Sequence, residues 1–164
     1  MSLKSITAAL ALVAAAAASA APPPPPPLLG KATQVIDGNN LVIVTADGQS
    51  VPVRLAGIDA PEICQTWGVE ARDALKDWVL DQPVSVKTVS RNKSGLVIGT
   101  VVVDGAEINR RMVEEGHAFS QRTKWDRGPY VKEERIAHSL ARGMYSAGVA
   151  ENPSLFKREQ KACQ

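Results

Sequence analysis

Arg54, Asp59 and Glu62 fall within one short segment, VRLAGIDAPE at 53–62. Two neighbouring carboxylates on either side of a proline form a rigid corner, because the Pro61 ring fixes its own backbone torsion. Oxygen ligands of this kind suit a hard cation such as Ca2+. Arg54 lies upstream on the same stretch, and a guanidinium can hold a phosphate through two parallel hydrogen bonds. Together they match the needs of phosphodiester hydrolysis: a cation to polarise, a base for water, and donors for the charge that develops on phosphorus oxygens. An arginine and a glutamate at a turn also make an ordinary structural ion pair, so the segment alone leaves both readings open. Upstream, VIDGNNLVI at 35–43 has amides, Asn39 and Asn40, where a second carboxylate would strengthen an ion site.

These residues need elements to hold them. Residues 31–46 read as two short strands around an Asp-Gly-Asn-Asn turn, since Asp-Gly tolerates tight-turn geometry at low cost. A third strand spans 50–57, alternating around Val51, Val53 and Leu55. From Thr66 to Leu80 the apolar period changes to that of a helix, through Trp67, Ala71, Ala74 or Leu75, and Trp78. Both tryptophans are expected in the core. Strands follow at 83–89 and 96–103, a short helix at 107–115, a loop at 119–128, and a helix from about Pro129 to Arg142. Five short strands with about three helices predict an α+β fold, a small OB-type barrel. There is no dinucleotide fingerprint, no Walker phosphate loop and no zinc-ligand spacing; His117 and His138 are isolated and read as structural or surface residues.

The chain has 164 residues, 19 of them basic and 17 acidic. Residues 1–20 carry a basic start, an alanine-rich apolar run and Ala18-Ser19-Ala20, the pattern of an export signal. Residues 21–29 form a proline-rich spacer expected to be extended. A single domain over 30–147 and a tail over 148–164 complete the division. With an export signal the expected location is periplasmic or secreted, and the expected state is a monomer. Residues 110–164 hold 11 basic and 7 acidic side chains, against 7 and 10 for 21–109, so a basic C-terminal face can attract a polyanion. The two cysteines, Cys64 and Cys163, allow one intramolecular pairing, permitted by export, which would tie the tail to the loop after Glu62; free thiols and an intermolecular bond are the alternatives.

The ordered set VIDGNNLVI, VRLAGIDAPE, TWGVEARDAL, NKSGLVIG, GAEINRRMVEEGHAF and EERIAHSLARGMY resembles the staphylococcal nuclease family over about residues 31–146. The resemblance implies an OB barrel that cleaves DNA and RNA by Ca2+-dependent hydrolysis, on single-stranded or locally unpaired substrate. It implies Asp59 as metal ligand, the Ala60 carbonyl as a second, Glu62 as the residue that positions or deprotonates water, and Arg54 as phosphate donor. Two positions depart from the family pattern. Asn39 stands where the family has a metal carboxylate; an amide oxygen still coordinates but brings no charge. Leu96 stands where the family has a second phosphate arginine, and leucine has no donor. Arg91 and Lys93 are the neighbouring candidates to replace it. Two readings follow: a family member with a degraded site, weak or absent hydrolysis and nucleic-acid or protein binding, or an active Ca2+-dependent nuclease.

Overall fold

The computed structural model describes residues 25–148, 151–160 and 163. The export-signal reading of residues 1–20 lies outside them. The order of elements is β1 (Leu28–Asp37), β2 (Asn40–Val44), β3 (Ser50–Leu55), β4 (Ile58–Asp59), α1 (Gly68–Val79), β5 (Pro83–Arg91), β6 (Val97–Val103), β7 (Ala106–Glu107), α2 (Ile108–Glu114), β8 (Phe119–Ser120), α3 (Val131–Ser139), a 3-10 turn (Gly143–Tyr145) and α4 (Pro153–Gln160).

Alternation explains the barrel. Leu41 and Ile43 of β2, Val51, Val53 and Leu55 of β3, and Val97, Val101 and Val103 of β6 all point into one core, with half-exposed residues between them. The sheet runs β3-β2-β1-β5-β6-β7, and a parallel β3–β6 pairing joins its ends. Five strands, β1, β2, β3, β5 and β6, thus close into the expected barrel. Closure pairs Val53 with Val97 and Arg54 with Ile98, and the β2–β3 register sets Asn40 opposite Arg54. Backbone pairing therefore holds the Asn-bearing turn beside the arginine.

The short strands β4 and β7 do not figure in the sequence reading, and three further differences each have a local reason. β1 opens at Leu28, within the segment read as spacer, because Leu28–Lys31 pair with β5. Its middle breaks alternation at two register shifts, so it has no clean period to read. The stretch read as a loop from Phe119 begins with β8, which pairs with β4; two-residue strands are too short to show a period. In the tail, α4 is a fourth helix. Asn152 Oδ1 accepts the Ser154 amide at 2.9 Å and Pro153 takes the first helical position, a start signal that the surrounding polar residues conceal.

Trp78 of α1 and Trp67, the residue that caps its start, both pack partly buried against the core. Trp67 Nε1 donates to His117 Nδ1 at 3.1 Å, and the Arg111 guanidinium sits 4.0 Å over the Trp78 ring. Burial pushes the His117 imidazole below its ordinary value, outweighing the opposing pull of Glu115. Because the unfolded chain then binds more protons than the fold in this range, His117 stabilises fully above its unfolded value of 6.5 and loses that contribution as pH falls below it. The melting temperature is expected to drop between about pH 7 and pH 5, and His117→Gln should flatten that slope. Calorimetry across the range, with Trp fluorescence reporting the Trp67 contact, checks it.

Candidate active site

Arg54, Asp59 and Glu62 come together, each from a different local device. Arg54 is held by β3, between β2 and β6. Asp59 is the last residue of β4 and pairs with Phe119, which fixes its backbone. Glu62 sits past Pro61 in a turn closed in both directions by Gln65. The Gln65 amide donates to the Glu62 carbonyl at 2.8 Å, and the Glu62 amide donates to Gln65 Oε1 at 2.8 Å. Asp59 is buried, Glu62 half-buried, and Arg54 half-exposed. The Arg54 guanidinium lies 3.9 Å from Asp59 Oδ1, too long for a hydrogen bond. It leaves the arginine's donors for a ligand.

Small residues allow this crowding. A Cβ on Gly38 would stand 2.6 Å from the Ala60 Cβ and 2.9 Å from that of Ala71. One on Gly68 would stand 1.9 Å from the Glu62 carbonyl oxygen. The hairpin turn, the proline corner and the start of α1 thus meet through Gly38, Ala60, Ala71 and Gly68, and this contact sets the distance between Asn39 and the carboxylates.

Within the hairpin, Asp37 acts as a turn anchor. Its Oδ1 accepts the Asn39 amide at 2.9 Å and the Asn40 side chain at 2.8 Å. Asn39 is buried; its Oδ1 accepts from Asn40 Nδ2 at 2.9 Å, while its own Nδ2 has no partner. Leu96 is half-buried just before β6, while Arg91, the last residue of β5, and Lys93, in the turn between the two strands, are exposed. Among the described residues, the cations within 4 Å of Asp59 or Glu62 are Arg54 and Lys157; Arg91 and Lys93 make no ion pair with either carboxylate.

Lys157 and Ser154, both on α4, were not legible as site residues. Lys157 Nζ lies 2.7 Å from Glu62 Oε1 and 3.4 Å from Asp59 Oδ1, and Ser154 Oγ donates to Asp59 Oδ2 at 2.8 Å. The helix is tied down by the Cys64–Cys163 disulfide, by Gln65 Nε2 donating to the Glu151 carbonyl at 3.0 Å, and by the buried Phe156. Asn109 is a third residue that sequence spacing hid. Fully buried, it accepts the Val101 amide at 2.9 Å and donates to the carbonyl of Ala56 at 2.8 Å. It thereby pins β6 to the loop leading into β4. Beside the site, a cavity of about 580 Å³ runs along α3, with Arg122, Arg127 and Arg135 on its walls. Phe119, the partner of Asp59, and Asn152, the cap of α4, line it too.

A family model described as staphylococcal nuclease homologue matches residues 52–162, from β3 through α4. The chain belongs to the staphylococcal nuclease family. It is 31% identical over 143 residues to the micrococcal nuclease of Shigella flexneri, covering 80% of this chain and 82% of that one. An uncharacterized endonuclease of Haemophilus influenzae is 26% identical over 131 residues, covering 80% of this chain and 74% of the relative. A probable staphylococcal-like nuclease of Oryza sativa subsp. japonica, CAN2, is 29% identical over 109 residues, 66% of this chain. The chain spans only 30% of that rice protein's length. For a member of the staphylococcal nuclease family, the question at this site is whether the donors fit a hard divalent cation. They are all oxygens: the Asp59 carboxylate, the Asn39 amide and the Ala60 carbonyl, the chemistry such an ion prefers. The unpartnered Asn39 Nδ2 is a donor and gives a cation nothing; the atom that would coordinate is Asn39 Oδ1, which now accepts from Asn40 Nδ2 at 2.9 Å. The set fits, with one charge fewer than a carboxylate at position 39 would give. Among the described residues no cluster of three or more His, Cys, Asp or Glu side chains offers a richer site. No helix among them is long and apolar enough to cross a membrane.

Proposed function

We propose that this protein is an exported nuclease, hydrolysing phosphodiester bonds of single-stranded or locally unpaired DNA and RNA at a low rate set by its substituted ion site. The observation that carries the reading is the convergence of Arg54, Asp59 and Glu62 in one half-open cluster. Arg54 binds a non-bridging phosphate oxygen and stabilises the charge that grows on it. Glu62 orients a water and takes its proton as the water oxygen attacks phosphorus. The bond from phosphorus to the leaving sugar oxygen breaks, and that oxygen acquires a proton from solvent. Asp59, Asn39 and the Ala60 carbonyl would hold a hard divalent ion such as Ca2+, which when bound polarises the phosphoryl group. Asn39 lowers the charge of that ion site, and Leu96 offers phosphate no donor; both reduce activity rather than remove the hydrolytic residues. Arg127 and Arg135, beside the Arg122–Glu134 ion pair on the same cavity, give the substrate backbone an adjoining basic track. The Cys64–Cys163 disulfide supports an oxidising compartment, periplasm or exterior, where a monomer acts alone.

Asn39 and Leu96 also favour a second reading, a nucleic-acid-binding or protein-binding module without hydrolysis. Purified disulfide-intact protein should cut plasmid DNA and RNA in millimolar Ca2+ and stop on chelation. Substrate left intact after prolonged incubation in Ca2+, while oligonucleotide still binds, would establish the second reading.

A further inference from the structure

Ser154 and Lys157 are three residues apart on α4, so both lie on one face of the helix. That face is turned to the carboxylates: Ser154 takes one Asp59 oxygen, and Lys157 reaches the other as well as Glu62. A lysine ammonium carries three donors. One is engaged with Glu62 at 2.7 Å and one, more weakly, with Asp59 at 3.4 Å, which leaves a third. The Lys157 side chain remains 36% exposed, as open to an incoming ligand as Arg54. A phosphodiester presents two non-bridging oxygens, and Arg54 is the one guanidinium on this cluster among the described residues. Half-exposed ion pairs contribute little to folding, so stability alone gives a poor account of a lysine held here by a disulfide, a buried phenylalanine and the Gln65–Glu151 bond.

We propose that Lys157 is the second phosphate-binding cation of this site, and that the Cys64–Cys163 disulfide acts as its positioning element. The proposal rests on the hydrolase reading above. As phosphate enters, the ammonium shifts its short hydrogen bond from Glu62 to a non-bridging oxygen. That move places positive charge where negative charge develops, and at the same time frees the Glu62 carboxylate to accept the proton of water.

The test uses the disulfide-intact protein, Lys157→Ala, Lys157→Arg and Cys163→Ser, with a fluorescein-labelled single-stranded DNA oligonucleotide. Melting curves confirm that each variant folds. With saturating Ca2+, Lys157→Ala should lower kcat by about a hundredfold, the scale of losing one donor to the transition state, with a smaller change in KM. Lys157→Arg should retain most of the rate. Reduction, or Cys163→Ser, should reproduce the loss in the parent and add little to Lys157→Ala, because both remove the same cation. In chelator, where nothing is cut, anisotropy titrations at several salt concentrations should show a slope shallower by about one for Lys157→Ala. Unchanged kcat together with an unchanged salt slope would overturn the proposal and leave a structural ion pair. A faster Lys157→Ala enzyme would overturn it in the other direction, making α4 a plug over the carboxylates. A parent that cuts nothing refutes the hydrolase reading alone, and the salt slope then decides whether Lys157 contacts phosphate.

Discussion

Glu62→Gln should cost cleavage about a hundred- to ten-thousandfold, the range for removing a positioned general base. The substitution keeps side-chain volume and leaves an oxygen for the Lys157 ammonium at 2.7 Å, but it cannot accept the proton of water. The Glu62–Gln65 turn is made by the Glu62 backbone and the Gln65 side chain, so it survives the change. The melting temperature should therefore stay close to that of the parent while single-turnover cleavage collapses. That separation identifies chemistry, since a merely structural glutamate would lower both together. Retention of cleavage within threefold would remove Glu62 from the mechanism.

Gly68→Ala carries the second large effect, and helix propensity gives the wrong sign for it. Alanine in a helix is favoured over glycine by about 1 kcal/mol. Here the new methyl would stand 1.9 Å from the Glu62 carbonyl oxygen, 2.7 Å from its carbonyl carbon and 2.9 Å from the Ile63 Cα. All three are backbone atoms. They cannot swing aside, because Pro61 stiffens one side of the turn and the Gln65 amide holds the carbonyl on the other. Overpacking of this kind costs about 1–3 kcal/mol or more, and a backbone clash belongs at the upper end. The expected net loss is about 3 kcal/mol, lowering the melting temperature by about 10 °C. Cleavage should fall as well, since relief of the clash displaces Glu62. A Gly68→Ala protein as stable and active as its parent would show that α1 does not position the base.

What was readable in the sequence, and what was not, follows from the range of the interactions. β2, β3 and β6 have one buried face each, and their alternation is written in the residues themselves. Arg54, Asp59 and Glu62 share one segment, so spacing reveals them as a group. β4 and β8 are two residues each and exist because Asp59 and Phe119 pair across the fold, which no local period records. Asn109 reads as one more polar residue on a helix, though its amide is buried and bonded to the backbone of β6 and of the loop before β4. Ser154 and Lys157 stand 95 and 98 residues from Asp59, and nothing near them in the chain marks them as its partners. The Asn152-Pro153 helix start and the Cys64–Cys163 pairing were the available clues: the first locates the helix, the second delivers it beside Glu62.

The position of α4 in the chain also orders events in time. Arg54, Asp59 and Glu62 leave the ribosome early, and the barrel that holds them needs β6 to pair with β3. Ser154 and Lys157 emerge long afterwards, and Cys163 later still. A nascent chain thus displays its carboxylates before the helix that covers them has been made. The finished arrangement needs Cys163 joined to Cys64, so it is completed only where an oxidant is present.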